Sequence, residues 1–496
     1  MSDKLSLNEL ESWLWEAANI LRGPVDASDF KAYIFPLLFF KRISDVFDEE
    51  YEQALKDSDG DEEYASFAEN HRFNVPKGAH WKDVRETPEN VGQAIQYALR
   101  EIEKENPKQL YGVFGDVNWT NKNRLSDALL IDLIEHFSEK DLSQKNVHPD
   151  VLGQAYEYLI KKFADLTNRK AGEFYTPRMV VHLMCSILKP QEKESIYDPA
   201  CGSAGMLLEA ANYVKKHGGD VRTMQLFGQE KNLTTSAIAR INLFIHGIED
   251  FQIIRDDTLR NPAFHTADEL STFDVVIANP PFSLKNWGSE TWSKDPYGRN
   301  IAGTPSDSNG DFAWVQHMIT SMKNPHGRMA IVLPHGALFR RGVEATIRKK
   351  LIEDDLLEAV IGLGPNLFYG TGISACILVF KLKKENEHKN KILFVDGSEE
   401  FQKGRNQNFF NQEHAEKLLS LYESFSDTEG ISAVIDVKEI AKNDFNLNIS
   451  RYVTKKDDRE EIDLKETFAE LQEAYEEFVK SENTMKELLS QVKYNE

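Results

Sequence analysis

Two short stretches combine residue types at spacings that suit chemistry. One is Asp198-Pro199-Ala200-Cys201-Gly202-Ser203-Ala204-Gly205, between an apolar run and a helical one. The other is Asn279-Pro280-Pro281-Phe282, which ends the apolar run Val275 to Ala278. Glycines in a turn of the first kind let a backbone approach a nucleotide-like ligand closely. The dinucleotide fingerprint GxGxxG is not met, because Ala200 stands where its first glycine would be. A ligand without a pyrophosphate does not need that arrangement. S-adenosylmethionine is such a ligand, and Asp198 can accept a hydrogen bond from its cationic methionine end. Glu230 closes the next apolar run, where an acid can take both ribose hydroxyls. Asp257 follows the third run and is placed to meet an adenine amino group.

With that cofactor beside it, Asn279-Pro280-Pro281-Phe282 reads as a site as well as a turn. The exocyclic amino group of adenine is a poor nucleophile, because its lone pair is delocalised into the ring. The Asn279 side-chain carbonyl and the Pro280 backbone carbonyl can accept both of its N–H bonds. That favours a pyramidal nitrogen whose lone pair points at a sulfonium methyl. These are preorganised dipoles aimed at developing positive charge. Pro280 and Pro281 stiffen the loop, and Phe282 offers a face on which an extruded base can stack. No general base is needed before the attack.

Stepping outward, the elements around these residues form three segments. Residues 1–165 read as helical: Leu10, Trp13, Leu14, Ala17, Ile20 and Leu21 follow a helical period that Gly23-Pro24 closes. A second long helix follows, with Asp26 or Ser28 as its cap and Pro36 as an internal kink. In residues 166–400, short apolar strands alternate with amphipathic helices. Strands are expected at 195–198, 224–229, 251–254, 274–278, 329–334, 357–363 and 375–382. This alternation predicts a doubly wound, Rossmann-like α/β sheet. The last two strands lack a helix between them, so one of them is expected to run antiparallel. Residues 401–496 form a C-terminal region that ends in a long charged helix over 463–492.

Composition narrows the function classes. With 41% hydrophobic and 28% charged residues, the chain is that of a soluble globular protein. No signal peptide opens it, and no apolar run is long enough to span a bilayer. Three scattered cysteines exclude a disulfide framework and a cysteine-cluster metal site, which fits the cytoplasm. The net charge of −22 is unlike that of a protein that grips DNA alone. No phosphate loop of the GxxxxGK[ST] type occurs, so the chain has no ATP-driven motor of that kind.

The set of motifs resembles a known family. DPACGSAG followed by NPPF is similar to the cofactor and catalytic motifs of the amino-group DNA methyltransferases. GEFYTPR, from Gly172 to Arg178, resembles the segment that completes the methionine pocket in that family's gamma order. LWEAANILRG, VDASDFKAYIFPLLFFKRISDVF and NDFNLNISRY resemble the modification subunit of type I restriction-modification systems. The third-strand loop departs from the pattern, reading Arg255-Asp256-Asp257 where a glycine is expected before the acid.

The resemblance implies methyl transfer from S-adenosylmethionine to adenine N6 in double-stranded DNA, with the adenine flipped out. Asn279, Pro280, Pro281 and Phe282 would be catalytic. Glu173, Phe174, Tyr175, Thr176, Pro177, Asp198, Pro199, Gly202, Ser203, Gly205, Glu230, Asp257 and Asn279 would hold the cofactor. It also implies a specificity subunit that reads the site, two modification subunits to one specificity subunit, and a restriction subunit in the full complex. No metal and no membrane are expected.

Other chemistries fit less well. Cytosine C5 methylation needs a nucleophilic cysteine, typically after proline, and no Pro-Cys pair exists here. Cytosine N4 methylation and protein glutamine methylation use similar loops and remain the enzymatic alternatives, beside a non-catalytic cofactor-binding scaffold. In the terminal helix, Leu464, Phe468, Leu471, Tyr475 and Phe478 are spaced four, three, four and three apart. Met485, Leu489 and Val492 continue that register, and Glu482 interrupts it. A seam of this period meets another helix along its length. The resemblance implies that this partner is the helical spacer of the specificity subunit; the alternative is that the stripe folds back on this chain's own body.

Overall fold

Nine strands form one mixed sheet in the order β3-β2-β1-β4-β5-β7-β6-β8-β9. The computed structural model describes residues 4–166, 176–368, 371–405, 407–454 and 464–491. Two units are distinguished, Met1–Val453 and Thr454–Glu496, and the sheet lies in the first. Its strands are β1 (Ser195–Asp198), β2 (Gln225–Glu230), β3 (Phe251–Arg255), β4 (Val275–Ala278) and β5 (Arg328–Pro334). They continue with β6 (Leu357–Gly362), β7 (Ala375–Lys381), β8 (Lys391–Val395) and β9 (Ser432–Asp436).

β1 pairs in parallel with both β2 and β4, so the strand order reverses direction between β1 and β4. That reversal opens a crevice at the carboxyl ends of these two strands. Side chains alternate across the sheet and are buried on both faces. Val275 and Ile277 of β4 join one core, while Val276 and Ala278 join the other. Both faces being covered explains why these strands read as continuous apolar runs. β7 runs antiparallel between β5 and β6, as the missing crossover helix requires.

The sheet reaches further than the sequence suggests. β8 and β9 pair antiparallel at its far edge, and β9 comes from residues beyond 400, where the sequence analysis ends the strand pattern. Only Ser432 is fully buried in β9, so this edge strand carries a weak apolar signal.

Before the sheet, the helices Leu7–Ile20, Phe30–Asp57, Val91–Glu105, Asp127–Ser138 and Pro149–Leu166 pack around their own core. Leu10, Trp13, Leu14 and Ala17 are buried on the first, as its period requires. Asp26 caps a short turn by accepting from Ser28 N at 2.9 Å, and the second helix runs through Pro36. Ile238, Ile241, Phe244 and Ile245, from the helix after β2, belong to this same core. The helical region is therefore packed directly against one flank of the sheet. In the second unit, residues Leu464–Gln491 form a single helix. No helix among the described residues is long and apolar enough to cross a membrane.

Candidate functional site

The turn after β1 is held in place by three ties. Cys201 N donates to Gln229 O of β2 at 3.0 Å. Asn242 Nδ2 donates to Ser203 O at 2.9 Å, and Thr258 Oγ1 donates to Pro199 O at 2.6 Å. The turn therefore rests on β2, on the helix after it and on the loop after β3. Gly202 has φ +52°, a left-handed conformation that favours glycine. A Cβ at Gly202 or Gly205 would meet nothing within 4 Å, so both glycines border open space. Gly228 has the opposite role, since a Cβ there would lie 2.9 Å from Cys201 Sγ.

That open space is a cavity of about 240 Å³ lined by Pro199, Gly202, Ser203, Glu230, Asp257, Asn279 and Pro281. A smaller cavity of about 80 Å³ shares Gly202, Ser203 and Asn279 with it, and adds Thr176, Asp198 and Gly205. Expected site residues from five separate segments thus converge on two adjoining spaces. Pro177, Pro280 and Phe282 line neither. Pro177 caps the helix Arg178–Leu188, Pro280 is buried, and Phe282 packs edge-on against Phe368 with ring centres 5.8 Å apart. Glu173, Phe174 and Tyr175 lie outside the described residues.

The polar groups of the cavities differ sharply in their surroundings. Asp198 is 1% exposed and accepts one backbone hydrogen bond, from Ala200 N at 3.0 Å. Burial, reinforced by nearby Glu230 and opposed by the Ala200 bond, pushes its carboxyl up to about 8. Glu230 accepts from Gly202 N at 3.1 Å and from Asn232 N at 2.8 Å, so its carboxylate stays fixed at the end of β2. Asp257 is paired with Lys231 at 2.9 Å, and Asp256 accepts the Asp257 backbone N–H at 2.7 Å. The acid in place of glycine thus has a defined task in the turn. Cys201 is buried, and burial pushes its thiol well above the ordinary range, which disarms it as a nucleophile.

Asn279 stands across the crevice, one residue past β4. Its Nδ2 donates to Thr176 Oγ1 at 2.8 Å, while Oδ1 is buried with no partner among the described residues. A buried acceptor without a donor is costly unless a ligand satisfies it. The loop is pinned at its other end as well. Ser283 N donates to Asp311 Oδ1 at 2.7 Å; Asp311 is fully buried and ion-paired to Arg340, which also binds Glu344 at 2.7 Å.

Sequence reasoning missed part of the cavity wall. Lys31 and Phe35 from the second helix, and Ile160, Phe163 and Ala164 from the fifth long helix, line the larger space. Phe35 and Phe163 meet edge to face at 5.5 Å. On their helices Phe35, Ile160, Phe163 and Ala164 follow the general apolar period, so no local pattern separates a cavity-facing position from a core one.

Known proteins resemble both halves of this arrangement. Residues 147–461 match the model of the N-6 DNA methylase family, and residues 10–137 match the HsdM N-terminal domain. The type I restriction enzyme MjaVIII methylase subunit of Methanocaldococcus jannaschii is 33% identical, over 99% of this chain and 86% of its own length. The HindI methylase subunit of Haemophilus influenzae is 31% identical, over 76% of this chain and 89% of its own. Among solved structures, the type I methyltransferase subunit from Streptococcus thermophilus superposes with a TM-score of 0.79 at 31% identity. It covers 90% of this chain and 100% of that one.

Proposed function

The chain belongs to the N-6 DNA methylase family, among the methylase subunits of type I restriction enzymes, and on that premise we propose how its own residues carry out the reaction. It is the modification subunit, transferring a methyl group to the N6 amino group of adenine in DNA. The observation that carries the mechanism is the buried, unpartnered Oδ1 of Asn279 at the junction of the two cavities.

The cavities fit S-adenosylmethionine in the chemistry of their walls. Gly202 and Gly205 leave room for a close approach, Asp198 is a buried acid with no cation beside it among the described residues, and Glu230 is a fixed acceptor at the end of β2. Asp198 would meet the methionine end, Glu230 the ribose hydroxyls, and Asp257 the adenine end, with Thr176, Pro199 and Ser203 completing the wall. Glu173, Phe174, Tyr175 and Pro177 belong to the segment that closes the methionine pocket. Bound there, the cofactor supplies an electrophilic methyl group. Asn279 Oδ1 and the Pro280 carbonyl accept the two N–H bonds of the target amino group, which localises the nitrogen lone pair. Pro281 holds those carbonyls still. Phe282, half-buried and packed edge-on against Phe368, is the aromatic residue of the loop on which the extruded base would stack. The proton released on transfer passes to solvent, so the loop supplies no base.

Site choice falls to a specificity subunit. With a net charge of −22, this chain lacks the basic footprint of sequence-specific DNA binding. The terminal helix is its proposed contact with that subunit. Phe468, Leu471, Tyr475, Phe478, Met485 and Leu489 on this helix are all exposed. Large apolar side chains repeated at this period are the signature of a helix that meets another. Leu464 and Val492, at the ends of the seam, lie outside the described side chains. Two such subunits would join one specificity subunit, and a restriction subunit would complete the enzyme.

The test is transfer of a labelled methyl group to DNA by the chain co-purified with its specificity subunit, followed by nucleoside analysis. N6-methyladenine is the expected product. Label in N4-methylcytosine, in protein, or nowhere would overturn the reading.

A further inference from the structure

We propose that Thr176 is a positioning residue for methyl transfer, whose hydroxyl secures the orientation of the Asn279 amide that can receive the base. This rests on the methylation reading above. The two ends of an amide are nearly equal in shape and opposite in hydrogen-bonding sense. Only one orientation serves the reaction, because the target amino group brings N–H donors and needs the carbonyl facing it. With the amide turned over, donor would face donor. Pro280 and Pro281 stiffen the backbone but leave the terminal side-chain torsion of Asn279 untouched.

The productive orientation has a cost of its own: it turns the Asn279 NH2 away from the base and into the protein interior. There Thr176 Oγ1 accepts from it at 2.8 Å, from a segment 103 residues away in the chain. No second side-chain partner of the Asn279 amide occurs among the described residues. Without the hydroxyl, the amide that presents its carbonyl to the base strands a buried N–H. The penalty then falls on the reacting arrangement, and the cofactor bound alone does not feel it.

This assignment differs from a plain cofactor contact. Thr176 also lines the smaller cavity beside Asp198, so the two roles must be separated by experiment. Thr176→Val keeps the shape and removes the hydroxyl, whereas Thr176→Ser keeps the hydroxyl and removes the methyl. Each variant is assembled with the specificity subunit and assayed on its DNA site in single turnover at saturating S-adenosylmethionine. Cofactor affinity is measured by calorimetry, and folding by thermal melting. The expected result for Thr176→Val is a transfer rate lower by about tenfold, the worth of one buried hydrogen bond. Its cofactor affinity should stay within about twofold of wild type, and Thr176→Ser should restore most of the rate. An unchanged saturated rate with weakened cofactor binding would overturn the positioning role and leave only a pocket contact. A Thr176→Ser variant slowed about tenfold from wild type would overturn it too, whether or not Thr176→Val folds. Absence of transfer by the wild-type enzyme would instead sink the methylation reading, and this inference with it.

Discussion

On the proposed role of Asp198 at the methionine end, cofactor binding should depend on pH with a definite sign. Its carboxyl is 1% exposed and, mainly through burial, ionises only near pH 8 in the ligand-free chain. A cationic ligand end needs the ionised form. At pH 7 about one molecule in ten has it, and at pH 6 about one in a hundred, since each pH unit is a factor of ten. Affinity for S-adenosylmethionine should therefore rise about tenfold per unit from pH 6 towards 8, then level off. Calorimetry in buffers of different ionisation enthalpy should find close to one proton released per ligand bound at pH 6.5. Asp198→Asn should bind weakly and with a flat profile. The same shift has a stability counterpart with a definite sign. The unfolded carboxyl titrates near the ordinary 3.8 and the folded one near 8, so the folded chain holds the extra proton between those values. Ligand-free stability from this group is full below pH 4 and is lost as pH rises to 8. A shift of this size corresponds to a cost on the order of 5 kcal/mol. Asp198→Asn, which cannot ionise, should then melt above wild type at pH 8 and without ligand, by a margin that shrinks as pH falls. A wild-type dissociation constant that is constant from pH 6 to 8, with no proton release, would refute the argument.

Asn279→Ala should abolish measurable transfer while leaving cofactor affinity within a few-fold, because the lost carbonyl faces the base; retained transfer in a single-turnover assay would contradict the role. Phe163→Ala, on the helical wall of the cavity, should weaken cofactor binding without altering the product formed, since it removes apolar wall and no reacting group. A cofactor affinity equal to wild type would show that the helical region closes nothing. Truncation after Asp463 should leave a folded, cofactor-binding chain that no longer co-purifies with the specificity subunit. Full stoichiometric co-purification would remove the terminal helix from that interface.

How much of this was legible in the sequence depended on whether a feature was local. The strands β1 to β7 stood out as short apolar-rich runs, most plainly Val275 to Ala278, which is buried on both faces of the sheet. β9 did not, because an edge strand with four of five residues partly or fully exposed looks like a loop. The two chemical motifs were visible because each packs its glycines, prolines or amide into a few consecutive residues. The helical wall was not, since Phe35 and Phe163 are set into the cavity by the packing of separate helices. Thr176 falls between these cases. Its motif points to the cofactor, yet its hydroxyl accepts a hydrogen bond from Asn279. A hydrogen bond between residues 103 positions apart leaves no trace in the spacing of either motif. It arises because the segment before the helix Arg178–Leu188 and the end of β4 meet at the same crevice. The sheet reversal between β1 and β4 creates that crevice, and Asp198, the Asn279 amide and the Thr176 hydroxyl line one cavity within it.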